Sequence, residues 1–150
     1  MAENPMKIVN PIPAGYHTIT PYLAVHKVPE TIEFLKQAFA AVEVERHTMP
    51  DGRIMNATLR IGDSMVMMGE RPADQKAWPA MLYMYVADVD QLYRQAIAAG
   101  GKSIMEPVNQ FYGDRSGAIE DPSGNQWWIA SHIEDMSDAE LLERAKKQRG

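Results

Sequence analysis

The order of strand-like and helix-like segments is written twice along this chain. Repetition at such a period requires two similar units that bury their apolar faces together. In the first copy, residues 16–25 are rich in Tyr, Ile, Thr and Val and predict a strand, with Pro21 at an edge or a bulge. From Pro29, Ile32, Leu35, Ala38 and Phe39 recur at helical spacing, with Glu30 and Glu33 near the positive end of the helix dipole. Strands are predicted over 42–49, 54–61 and 64–69, separated by the turn signals Pro50-Asp51-Gly52 and Gly62-Asp63. The pattern then restarts: a strand over 81–86, a helix over 89–99 stopped by Gly100-Gly101, and strands over 102–107, 114–120 and 126–132. A shift of 61 residues lays Val25 on Val86 and Val28 on Val89, while a shift of 62 lays Arg53 on Arg115 and Gly62 on Gly124. The chain reads as a duplicated βαβββ unit, repeat 1 over about 15–70 and repeat 2 over about 81–135. A polar linker at 71–80 joins them, and a C-terminal helix spans about 138–148.

At 150 residues this fits one domain, 1–150, large enough to be stable on its own core. With no cysteine, disulfide scaffolds, thiolate nucleophiles and Cys-based metal sites are excluded. No stretch reads as a signal peptide or membrane span, so the expectation is a cytoplasmic protein without membrane association. The net charge of −5 argues against duplex nucleic acid as a partner. The cations Arg144, Lys146, Lys147 and Arg149 follow the capping box Ser137-Asp138-Ala139-Glu140 and read as dipole complements in a helix's last turns. Walker A, Gly-x-Gly-x-x-Gly, Gly-x-Ser-x-Gly and His-Glu-x-x-His strings are all missing.

Two strings, Gly15-Tyr16-His17-Thr18-Ile19-Thr20-Pro21-Tyr22-Leu23 and Gln110-Phe111-Tyr112-Gly113-Asp114-Arg115, are followed by Asp121-Pro122-Ser123-Gly124-Asn125 and Trp127. Set inside the repeat, they resemble the vicinal oxygen chelate superfamily of glyoxalase I, extradiol dioxygenases and bleomycin-resistance proteins, and within it a PhnB-like, glyoxalase-like branch. The resemblance implies an α+β fold in which the two tandem βαβββ units form a cup-like mixed β-sheet barrel with helices outside. It also implies a homodimer, and metal ligands on the first and last strand of each unit. Counting from the repeat puts those ligand positions at Thr20, Val66, Met81 and Trp128. A hydroxyl, a thioether, a valine and a tryptophan are poor ligands for a divalent cation, so no metal and no other cofactor is expected.

Strand alternation then divides the side chains. The cup side is expected to carry Thr18, Thr20, Tyr22, Asn56, Thr58, Arg60, Ser64, Val66, Met68, Tyr83, Tyr85, Glu120, Trp128 and His132. The helix side would carry Ile19, Leu23, Val25, Met55, Ala57, Leu59, Ile61, Leu82, Met84 and Val86. Thr20, Tyr22, Asn56, Thr58, Arg60, Met68, Tyr83, Tyr85, Trp128 and His132 are the expected ligand-binding set, aromatic and adaptable enough for a flat or apolar small molecule. The opposing reading is a barrel filled by its own Tyr83, Tyr85, Trp128 and Met68. Glu120 is the expected catalytic residue if there is one, a carboxylate able to act as base, unless it pairs with Arg60 or another strand cation. His17 and His26 read as surface or capping residues and His47 lies late in a strand without a motif partner; Glu70 and His132 are the pair for any non-standard metal site. Two functions therefore stand side by side: a binding protein that captures a small apolar or planar molecule, and a lyase, isomerase or dioxygenase-type enzyme using Glu120 or a non-standard metal.

Overall fold

The structure is a computed structural model and describes residues 8–148. The first unit comprises β1 (Tyr22–Val25), α1 (Val28–Phe39), β2 (Val42–Thr48), β3 (Ile54–Ile61) and β4 (Ser64–Glu70). The second comprises β5 (Met81–Tyr85), α2 (Val89–Ala98), β6 (Lys102–Asn109), β7 (Asp114–Glu120) and β8 (Gln126–His132). Helix α3 (Asp138–Gln148) closes the chain; Arg149 lies outside the described residues. Each unit makes one four-stranded mixed sheet, in the orders β1-β4-β3-β2 and β5-β8-β7-β6, with the first strand of each unit parallel to the last. The fold is the expected pair of tandem βαβββ units. The two sheets stay separate within one chain and do not close into a barrel, and β1's outer edge carries an isolated bridge from Ala24 to Trp78 in the linker.

Strand β1 begins only after Pro21, whose carbonyl accepts the Met67 amide. Thr18 and Thr20 therefore precede the sheet instead of lining it, because proline has no N–H to continue the ladder. Helix α1 buries Val28, Ile32, Leu35 and Ala38 along one stripe. Side chains as fully buried as Ile32 and Leu35 each contribute about 1.5–3 kcal/mol relative to exposure. Opposite this stripe lie Leu23, Val25, Ala57 and Leu59, as alternation predicts.

The same core runs on into the second unit through Val89, Ala96, Ile119, Trp127 and Ile129. Phe39 of α1 meets Trp127 of β8 with ring centroids 5.3 Å apart, and Thr31 hydrogen-bonds Ser123. One core thus lies between the helix-side faces of two sheets, while on the opposite faces Tyr22, Met81, Tyr83 and Tyr85 stay exposed.

The two units differ at one hairpin. In the first, Ile61 pairs with Ser64 across Gly62-Asp63; in the second, Glu120 pairs with Gln126 across the five residues from Asp121 to Asn125. Equating Gly62 with Gly124 therefore slips β4 by one residue, and a slip of one turns every side chain over. Val66 and Met68 sit opposite Leu59 and Ala57 in the helix-side core, and Met68 is fully buried there. Met68 is thus a core residue and not part of the expected ligand-binding set. Met65 and Met67 take the open face in its place, with Met67 beside Tyr22 as Trp128 is beside Tyr83. Arg53 and Arg115, equated by the same shift, do different work: Arg53 braces its own turn through Asp51, while Arg115 forms a two-pronged pair with Asp90 of α2.

Helix α3 buries no side chain. Ser137 caps it by accepting the Glu140 amide, and Arg144 ties it down by donating to Glu134, Glu140 and the Phe111 carbonyl. Among the described residues no helix is long and apolar enough to cross a membrane.

Candidate functional site

The open face of the second sheet concentrates the polar chemistry. Tyr83 and Tyr85 are two apart on β5, so both rings project to one side, with centroids 5.3 Å apart. Register sets Trp128 beside Tyr83, and the antiparallel β7–β8 ladder sets Asp114 opposite His132. Asp114 becomes a hub. Its Oδ2 accepts from the hydroxyls of Tyr83 at 2.8 Å and Tyr85 at 2.9 Å, and its Oδ1 lies 3.0 Å from His132 Nδ1. The other imidazole nitrogen, Nε2, lies 2.7 Å from Oδ1 of Asp135, just beyond β8.

Hydrogen bonding within the cluster biases the ionisation of its members. Asp114 is only 4% exposed. Burial opposes its ionisation, but hydrogen bonds from His132, Tyr83 and Tyr85 outweigh this and hold the carboxyl below its usual range. Pairing with Asp114 first, then Asp135, raises the His132 imidazole above its ordinary value, favouring the imidazolium. Burial and the bond to Asp114 push the Tyr83 hydroxyl far up, so it stays protonated and donating; Tyr85 is raised chiefly by its bond to Asp114. The rings nevertheless remain accessible, Tyr83 at 41% and Tyr85 at 64%, as does Met81 beside them. In a single chain these side chains do not fill a closed core.

Gly113 helps to build the end of this site. Its positive φ of 95° and missing side chain let the Ile133 and Glu134 amides reach its carbonyl, which brings the chain back toward His132; a Cβ there would run into the Glu134 carbonyl.

The expected site residues divide between the two sheets. Tyr83, Tyr85, Trp128 and His132 share the open face of the second. Glu120 shares that face at the opposite end of β7, paired in register with Lys102 and Gln126. Six residues of strand at about 3.3 Å each place it roughly 20 Å from Asp114. It makes no ion pair with Arg60 among the described residues, since the two lie on different sheets. Tyr22, Asn56, Thr58 and Arg60 occupy the open face of the first sheet. There Tyr22 lies over Gly69, Thr58 is buried against Glu45, Arg60 is exposed, and Asn56 Oδ1 is buried without a partner. Glu70 accepts the Ile54 amide on the first sheet, so the structure does not bring it to His132.

Asp114 is the residue that sequence reasoning missed. Counting six back from Glu120 and six on from Gln126 would have placed it opposite His132, once the hairpin was closed at the Asp-Pro-Ser-Gly-Asn turn. That turn is itself organised by buried Asp121, which accepts from the Trp127 indole and the Asn125 side chain at 2.9 Å each, and from the Ser123 and Asn125 amides. Burial pushes the Asp121 carboxyl above its usual value.

The metal positions that the resemblance implies fall on Thr20, Met81, Trp128 and, with the register corrected, Met67. Two thioethers, an indole and a threonine hydroxyl do not suit a divalent cation. Among the described residues no group of three or more His, Asp or Glu side chains forms an alternative.

Residues 15–129 match the family model described as the Glyoxalase/Bleomycin resistance protein/Dioxygenase superfamily. An uncharacterized protein of Mycobacterium bovis is 29% identical over 134 residues, covering 82% of this chain and 88% of that protein. Uncharacterized Mycobacterium tuberculosis relatives match equally well over 79% of their length. Among solved structures, TioX from Micromonospora sp. ML1 superposes with a TM-score of 0.66 at 21% identity, covering 77% of this chain and 98% of its own. A glyoxalase/bleomycin resistance protein/dioxygenase family enzyme from Burkholderia phytofirmans PsJN gives 0.63 at 21% identity, with 76% and 97% covered. At these identities the structural likeness speaks for the fold.

Proposed function

The chain belongs to the glyoxalase/bleomycin resistance protein/dioxygenase superfamily, and from that premise we propose that it is a cytoplasmic homodimer that captures a small planar or largely apolar molecule without a metal. One observation carries this reading: Tyr83 and Tyr85 are locked in place by Asp114, yet their rings are presented to solvent. Rigid, exposed aromatic faces have already met the ordering cost that a floppy side chain meets on binding. In the proposed homodimer, open sheet faces from two copies close over the guest. The exposed Tyr22 and Met81 support such a closure, since their apolar surface would gain from being covered.

The test pairs sedimentation with a binding titration of a planar aromatic library. A dimer at micromolar concentration that binds flat aromatics, and loses at least about tenfold in affinity on Tyr85→Ala, supports the proposal. A monomer, or a Tyr85→Ala variant that binds as well as wild type, overturns it. Glu120→Gln separates capture from turnover. Binding unchanged with no reaction to lose fits capture, whereas loss of a measurable conversion would make Glu120 the base of an enzyme.

A further inference from the structure

His132 is held between two carboxylates of opposite character. Asp114 is buried, belongs to the sheet and carries two tyrosine hydroxyls as well as Nδ1. Asp135 has a side chain 99% exposed, stands on the segment between β8 and α3, and contacts Nε2 of the imidazole. An exposed ion pair of this kind is weak, because water competes for both partners. The donor is therefore fixed from behind and covered in front by a loosely tethered anion. Tyr83 and Tyr85 bond the other oxygen of the same Asp114, so one carboxylate holds both hydroxyls and the imidazole.

We infer that Asp135 occupies the place of a ligand's carboxylate, and that the site takes a small planar aromatic acid. The acid's carboxylate displaces Asp135 from His132 Nε2 while its ring lies against Tyr83 and Tyr85. The inference deepens the capture reading and rests on it. Exchanging one carboxylate for another leaves the charge at Nε2 unchanged, whereas a neutral ligand would take away the imidazolium's outer counter-charge. The groups facing His132 are Asp114 from β7 and Asp135, with Tyr83 and Tyr85 from β5 joined to the imidazole through Asp114, while Tyr112 from the β6–β7 turn faces Tyr83 and Tyr85. Glu134, the neighbour of Asp135, is already committed to Arg144 and does not compete for the imidazole.

The experiment is isothermal titration of the full chain with 2-naphthoate and with its neutral methyl ester, in wild type, Asp135→Ala and His132→Gln. The acid should bind more tightly than the ester, and Asp135→Ala should raise acid affinity about fivefold by removing the internal competitor. His132→Gln should erase the acid–ester difference. The acid preference should fade as pH rises through the imidazole's titration in wild type and be flat with pH in His132→Gln. Equal binding of acid and ester in all three proteins overturns the inference while leaving capture of planar molecules intact. Binding of neither probe overturns both. Because Asp135 is at the surface, its alanine variant stays folded and decides the matter even if His132→Gln does not.

Discussion

A single buried carboxylate sets the character of the open face. Without Asp114, Tyr83, Tyr85 and His132 would share a face but not a geometry, because nothing else in the cluster accepts all three donors. Asp114→Asn should therefore lower the His132 titration toward the ordinary histidine value of about 6.5, read by the imidazole NMR signals. The stability consequence has a definite sign. A raised His132 contributes stability that is fully present below the unfolded-state value and is lost as pH rises through the folded-state value. The depressed Asp114 contributes stability that is lost as pH falls through its folded-state value. Denaturation midpoints should thus decline with rising pH across the histidine range, and His132→Gln should remove that decline. At this scale the parity of Tyr83, Tyr85, Trp128 and His132 was legible from alternation alone. Asp114 was not, because an aspartate opening a strand looks like turn chemistry until its cross-strand partner is known.

Among the elements, the two final hairpins show how local chemistry governs what faces outward. The five-residue turn is stapled by Asp121, whose four acceptor bonds hold Trp127 and Asn125 in the core. Asp121→Ala leaves buried donors without partners, at about 1–3 kcal/mol each, and should lower stability by about 3 kcal/mol in a urea titration followed by circular dichroism. A loss below about 1 kcal/mol would mean that water replaces the carboxylate and that the staple is dispensable. Element order and type were readable from periodicity, including both helices and the capped α3. The face of β4 was not, since Gly62 and Gly124 look equivalent in sequence but sit in turns of different length. Met68 was placed on the wrong side for that reason, and Thr20 was placed in a strand that Pro21 does not allow to start.

At the level of the molecule, α1 packs on residues of the other unit, through Phe39 on Trp127 and Thr31 on Ser123. Neither repeat closes its own core. The full chain should unfold in one transition, with fluorescence and far-ultraviolet dichroism coinciding, and a fragment cut within the linker should not fold. A stable, cooperatively melting half would refute the shared core. The duplication announced two units in the sequence, but not that their sheets would stay apart, with Tyr22, Tyr83 and Tyr85 exposed on the outward faces. That arrangement depends on how α1 and α2 meet, which no strand pattern encodes. It also leaves the three tryptophans in three unlike settings: Trp78 outside β1 with the Arg71 guanidinium 4.8 Å from its ring, Trp127 in the shared core, and Trp128 on the open face. A set of single-tryptophan chains would therefore carry three separate lamps, whose emission colours report in turn on the tether between the units, the dryness of the interior and the arrival of a guest.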